Sequence, residues 1–184
     1  MVKKFLVFLF SPIYKKLNNK FERRIFIKQE LSKLQSGHKI LDAGCGSQQY
    51  RKYCDHLDYF SQDIGEYTIS EKKEIGNEDD AYEFGKIDYL GNIWDIDVPD
   101  DSFDAILCSE VFEHIPYPIK TIKEFERILK PGGVLILTAP SNCLRHFDPF
   151  FFTTGFSDRW FEKILPENGF EISLIDTVGD YYSF

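Results

Sequence analysis

Glu110, Glu113 and His114 are spaced at three and four residues, and a helical turn would carry all three on one face. Two carboxylates and an imidazole facing one point can hold a divalent cation or take up a proton. A plainer reading also stands, in which Glu113 caps a loop and His114 contacts a substrate or acts as a base. A second constellation is Ile40-Leu41-Asp42-Ala43-Gly44-Cys45-Gly46. Its glycines permit a tight turn and let a ligand approach the backbone. Asp42, two residues before Gly44, would repel the pyrophosphate of a dinucleotide. A ligand with ammonium and sulfonium charges and no phosphate, such as S-adenosylmethionine, would be attracted instead. Asp63, ending a second β-type run, is placed to accept hydrogen bonds from both hydroxyls of a ribose.

Ligands of doubly wound folds gather at the carboxyl ends of parallel strands, so these residues call for such strands beneath them. Apolar positions between residues 13 and 35 recur at roughly helical spacing, and Gly37 is a plausible stop. Strands are expected at His38–Leu41, Tyr59–Ile64, Ile87–Ile93, Phe103–Ser109, Val134–Thr138 and Phe170–Ile175. Helices are expected through Tyr50 and Tyr53, over Ile119–Leu129 and around Trp160–Leu165. Pro131-Gly132-Gly133 reads as a turn, and the polar, acidic stretch 65–86 as a loop or a short irregular helix. Strands alternating with helices require a mostly parallel sheet with helices on both faces.

The 184 residues suffice for one domain, and 43% apolar with 28% charged residues fits a globular chain. A net charge of -8 speaks against a broad phosphate-binding face, so no nucleic-acid partner is expected. Cys45, Cys54, Cys108 and Cys143 form no CxxC pair, which disfavours zinc-knuckle and thioredoxin-type chemistry and fits a reduced cytoplasm. Lys3 and Lys4 precede the apolar run Phe5–Phe10, which is too short to cross a bilayer. Two readings remain: peripheral membrane contact through residues 1–12, or a helix docked on the domain. Phe147, Phe150, Phe151, Phe152 and Phe156 read equally as a lid over an acceptor site or as core, and Trp160 as core.

Four segments, Ile40–Gly46, Tyr59–Ile64, Pro99–Ile115 and Leu129–Pro140, resemble the class I S-adenosylmethionine-dependent methyltransferases. The group that includes the ubiquinone-biosynthesis O-methyltransferases is the most similar. The resemblance implies an α/β, Rossmann-like fold over residues 37–184, shortened after Val178. Residues 1–36 would then form a helical cap on the substrate side. It implies S-adenosylmethionine as cofactor and a small-molecule acceptor, methylated at oxygen. Asp42, Gly44, Cys45 and Gly46 would lie at the methionine end, Asp63 and Ile64 at the ribose, and Asn92, Ile93 and Trp94 at adenine. Ser109 and Glu110 would stand beside the methyl group. Gln48 replaces a frequent third glycine, and Asn92 a frequent Asp. The Glu110-x-x-Glu113-His114 pattern also resembles metal ligands in those enzymes and in small-RNA 3′-terminal 2′-O-methyltransferases. The latter add a later histidine, whose place His146 would take; Mg²⁺ is the expected ion. A non-catalytic cofactor-binding module and an RNA 2′-O-methyltransferase are the competing readings. Asp42 and the poor match to Gly-x-Gly-x-x-Gly disfavour an NAD-dependent oxidoreductase.

Overall fold

The computed structural model describes residues 19–65 and 85–177. Its elements in chain order are α1 (Asn19–Lys33), β1 (Lys39–Ala43), a 3₁₀ turn (Arg51–Tyr53), β2 (Asp58–Asp63), β3 (Tyr89–Leu90), β4 (Phe103–Ser109), a second 3₁₀ turn (Phe112–His114), α2 (Pro118–Ile128), β5 (Leu129–Thr138) and α3 (Asp158–Glu167). The run Phe5–Phe10 and most of the stretch 65–86 lie outside the described residues.

The five strands form one sheet in the order β3-β2-β1-β4-β5, and every pairing is parallel. β1 and β4 occupy the middle, where both faces are covered, so their sequences are near-continuous apolar runs. Side-chain alternation divides them between two cores. Leu41, Ala43, Ile106 and Cys108 face α2, where Ile122, Phe125 and Ile128 are completely buried. Ile40, Ala105, Leu107 and Ile136 face the other way, against Ile27 and Leu31 of α1. This is the α/β architecture of the Rossmann-like methyltransferases, with a crevice between the carboxyl ends of β1 and β4, where the chain reverses its direction of winding.

Four local expectations differ. The helix expected through Tyr50 and Tyr53 is reduced to the 3₁₀ turn Arg51–Tyr53, because Gln48 before it adopts φ 56, a left-handed conformation that an α-helix cannot contain. The third strand shrinks to two residues, since the Asp88 carboxylate, not a backbone carbonyl, accepts from Ser61 N at 3.0 Å. Pro131-Gly132-Gly133 lies within β5 as an irregularity: Phe103 pairs with Leu129 and Ala105 with Val134. Phe170–Ile175 is not a strand. It has no ladder partner among the described residues, and Leu174 is 61% exposed.

Candidate active site

The loop after β1 turns at Gly44, whose φ is 72. A Cβ there would stand 2.5 Å from Val111 Cγ2, so only glycine lets this loop meet the segment after β4. Gly44 N and Cys45 N both donate to the Gln62 carbonyl, at 2.9 and 3.0 Å. The Gln62 side chain extends the link, its Oε1 accepting from Gly44 N and its Nε2 donating to the Gly91 carbonyl at 2.7 Å. From within β2, Gln62 therefore ties the loop after β1 to the loop after β3. Sequence reasoning missed it; the available signal was an uncharged polar residue within a strand whose end is buried.

Two aspartates support the same loops. The Asp63 carboxylate accepts from Gly46 N at 2.9 Å and from Gly65 N at 3.0 Å. Burial raises its pKa, and those backbone donors oppose the rise. Asp42 is 3% exposed and accepts the Tyr59 hydroxyl at 2.6 Å. Burial pushes its carboxyl up to about 7, the Tyr59 hydrogen bond opposes this, and the charge of Asp63 adds to it.

A cleft opens above these loops. It is lined by Gly44, Asp63, Ile64, Asn92, Ile93 and Trp94 from the loops after β1, β2 and β3, and by Val111, His114, Phe150 and Phe152 from the segments after β4 and β5. Asp42, Cys45, Gly46 and Ser109, also expected at the cofactor, are not among the lining residues. Ser109 Oγ is 2.9 Å from Thr138 Oγ1, at the ends of β4 and β5.

Glu110, Glu113 and His114 do not share one helical face. Glu110 has φ 55, and the helical turn begins only at Phe112. Glu110 consequently points to α1, where Arg23 Nη1 stands 2.7 Å from its Oε2, while Thr138 Oγ1 donates to its Oε1 at 3.2 Å. Arg23 is a second residue absent from the sequence reading. Glu113, His114 and His146 do converge: their available ligand atoms lie within 4.8 Å of one another. Glu113 is 2% exposed, and its Oε2 has no hydrogen-bond partner. Burial pushes the Glu113 carboxyl up to about 7, with the Glu110 charge adding to the rise.

His114 Nδ1 is 2.7 Å from the Phe150 carbonyl, and His146 Nδ1 is 2.8 Å from the Leu144 carbonyl. A carbonyl only accepts, so each Nδ1 carries the proton and each Nε2 presents a lone pair. Burial lowers the His114 pKa to about 4. Its Nε2 approach to Glu113 Oε1 at 3.6 Å is therefore a contact of a neutral imidazole, not an ion pair. The phenylalanine cluster divides between its two readings. Phe156 packs on Phe112 and Trp160 in the core, Phe150 and Phe152 line the cleft, and Phe147 and Phe151 flank the His114 ring.

A malonyl-[acyl-carrier protein] O-methyltransferase of Paenibacillus is 29% identical over 106 residues, which are 54% of this chain and 38% of that one. A demethylmenaquinone methyltransferase of Listeria welshimeri is 25% identical over 135 residues, 68% of this chain and 56% of that one. The chain spans between 37% and 62% of the length of the first curated relatives it matches. The crystal structure of a SAM-dependent methyltransferase from Aquifex aeolicus superposes with a TM-score of 0.59 at 18% identity, covering 89% of this chain and 86% of that one, a likeness of fold. The Methyltransferase domain family model matches residues 41–137, from the core of β1 to the end of β5. With that match and this fold, the chain belongs to the class I S-adenosylmethionine-dependent methyltransferases.

Proposed function

We propose that this protein transfers the methyl group of S-adenosylmethionine to an oxygen atom of a small-molecule acceptor. The observation that carries this reading is one cleft lined by two unlike sets of residues. One set is Asp63 with the Asn92–Trp94 segment, suited to a nucleoside; the other is a neutral imidazole, His114, among phenylalanines. The acceptor oxygen attacks the methyl carbon, forming the C–O bond as the S–C bond breaks and leaving S-adenosylhomocysteine. The chain supplies no nucleophile; it aligns the two reactants and removes the acceptor proton. His114 Nε2 is the atom free to receive that proton, because Nδ1 is committed to the Phe150 carbonyl. Phe150 and Phe152 line the cleft and exclude water, and the Arg23–Glu110 ion pair ties α1 to the segment after β4.

The donor set also fits a metal ion. Two imidazoles held by backbone carbonyls with their Nε2 atoms free, beside a buried carboxylate oxygen with no partner, resemble a ligand set with its outer support already in place. Glu113, His114 and His146 would hold it, without Glu110. One carboxylate with two imidazoles favours an ion such as Zn²⁺ or Mn²⁺ over Mg²⁺, which prefers oxygen. Such an ion would acidify an acceptor hydroxyl.

Calorimetric titration of S-adenosylhomocysteine into the purified chain tests the cofactor, and a panel of phenolic, enolic and carboxylic acceptors tests the atom. Saturable binding with turnover of an oxygen acceptor is expected. A folded chain that binds neither S-adenosylmethionine nor its product would end this reading.

A further inference from the structure

The segment between β3 and β4 brings Asn92, Ile93 and Trp94 to the cleft, yet it contains neither helix nor strand. Its internal backbone bonds are short-range: Asp95 N donates to the Asn92 carbonyl at 3.2 Å, and Val98 N to the Ile96 carbonyl at 2.7 Å. Such a segment keeps one shape only where neighbouring side chains take up its remaining polar groups. Those side chains come from α2.

Tyr117, at the start of α2, meets Trp94 edge to face with ring centroids 5.2 Å apart. About two turns further along, Glu124 and Arg127 hold the residues that follow Trp94. Glu124 Oε1 accepts from Ile96 N at 2.8 Å. Arg127 Nη2 donates to the Ile96 carbonyl at 3.1 Å; its Nη1 donates to the Val98 carbonyl at 2.9 Å and to Asp100 Oδ1 at 2.7 Å. Nε and Nη2 also grip the Glu124 carboxylate, at 3.0 and 2.7 Å. The five N–H donors of the guanidinium are thus all engaged, in a planar fork that a lysine cannot reproduce. α2 is itself fixed by Ile122, Phe125 and Ile128, all fully buried. Neither Glu124 nor Arg127 lines the cleft.

We infer that Arg127, paired with Glu124, is a positioning residue for the cofactor: it clamps the Ile96 and Val98 backbone to α2 and so holds Asn92 and Trp94 where the nucleoside binds. This rests on the proposal that the Asn92–Trp94 segment meets the nucleoside. Without the clamp the segment samples other shapes, and a ligand binds only the fraction that keeps the held one.

The test is calorimetric titration of S-adenosylhomocysteine, with hydrogen exchange of the same proteins, well below their melting temperatures. Arg127→Lys keeps a charge beside Glu124 but not the fork. Arg127→Met/Glu124→Gln removes both charges, so neither is left unpaired. If the held shape falls to about a tenth of the population, each variant binds about tenfold more weakly. Amide exchange then rises over residues 92–98 while that of β1 and β4 stays as in the parent. A role in stability alone would lower the melting temperature and leave affinity unchanged. Asp100→Asn, which removes an exposed partner and leaves both carbonyl bonds, changes affinity less than about twofold. Variants that bind like a binding-competent parent would overturn this inference alone. So would weaker binding without faster exchange over residues 92–98, or a loss in Asp100→Asn as large as in Arg127→Lys. A folded parent that binds no S-adenosylhomocysteine would overturn the proposed function, and this inference with it.

Discussion

The Phe150 carbonyl accepts a hydrogen bond from His114 Nδ1 at 2.7 Å, so the loop after β5 determines which nitrogen the imidazole presents to the cleft. His114→Ala removes the proton acceptor and leaves the nucleoside wall intact. Turnover is expected to fall by about 10²–10⁴ while S-adenosylhomocysteine affinity is little changed. Steady-state kinetics with an accepted substrate, alongside calorimetry, checks both halves. Undiminished turnover would remove His114 from the mechanism.

Gly44→Ala meets two obstacles, a φ of 72 and a Cβ 2.5 Å from Val111 Cγ2. The left-handed conformation costs about 1–2 kcal/mol and the overlap about 1–3 kcal/mol. Both the melting temperature and cofactor affinity should drop. Adding Val111→Ala relieves the overlap alone and restores part of the loss. Denaturant unfolding of the single and double variants separates the contributions; no rescue by Val111→Ala would contradict the geometry.

Arg23 and Glu110 couple α1 to the end of β4. Their side chains are 22% and 29% exposed, so solvent screens the pair and a coupling energy of about 1 kcal/mol is expected. A double-mutant cycle of Arg23→Met and Glu110→Gln measures it. If the pair also shapes the acceptor side, Arg23→Met raises the acceptor KM more than it alters S-adenosylhomocysteine binding.

Asp42 predicts a pH dependence of stability. Its folded pKa of about 7 lies above the ordinary 3.8, so the native state holds this proton more tightly than the unfolded chain. Its favourable contribution is complete below about pH 4 and is lost as pH rises through about 7. Asp42→Asn removes that slope, making the variant more stable than the parent above neutrality by about 2–4 kcal/mol. Tyr59→Phe should extend the slope to higher pH, because losing the hydrogen bond to the charged carboxylate raises the folded pKa further. Urea unfolding across this pH range is the measurement. Identical slopes for the parent and Asp42→Asn would refute the assignment.

The strands carrying the site were legible because each has a local signature. Phe103–Ser109 is buried on both faces and reads as an apolar run with the bounds observed. The amphipathic α2 places Ile122, Phe125 and Ile128 at helical spacing, and the structure buries all three. Asp63, Asn92 and Trp94 were likewise found at a strand end or in a family motif, and they line the cleft. The expected helix after Gly46 was not legible, because apolar spacing does not reveal the left-handed turn at Gln48. Phe170–Ile175 has β-type composition, but a strand also needs a neighbour to accept its hydrogen bonds.

Composition, period and motif sufficed for the parallel sheet, the family and the strand ends that border the cleft, since each is written within a few consecutive residues. Which side chains meet was decided only in three dimensions. The spacing that grouped Glu110 with Glu113 and His114 presumed a helical turn, and a left-handed residue sends Glu110 to Arg23 instead. Packing of the loop after β5 brings His146 to Glu113 and His114, and the approach of the loops after β1 and β3 makes Gln62 their common tie. Such contacts join residues remote in sequence through close approach of separately formed elements, and no local periodicity encodes that distance.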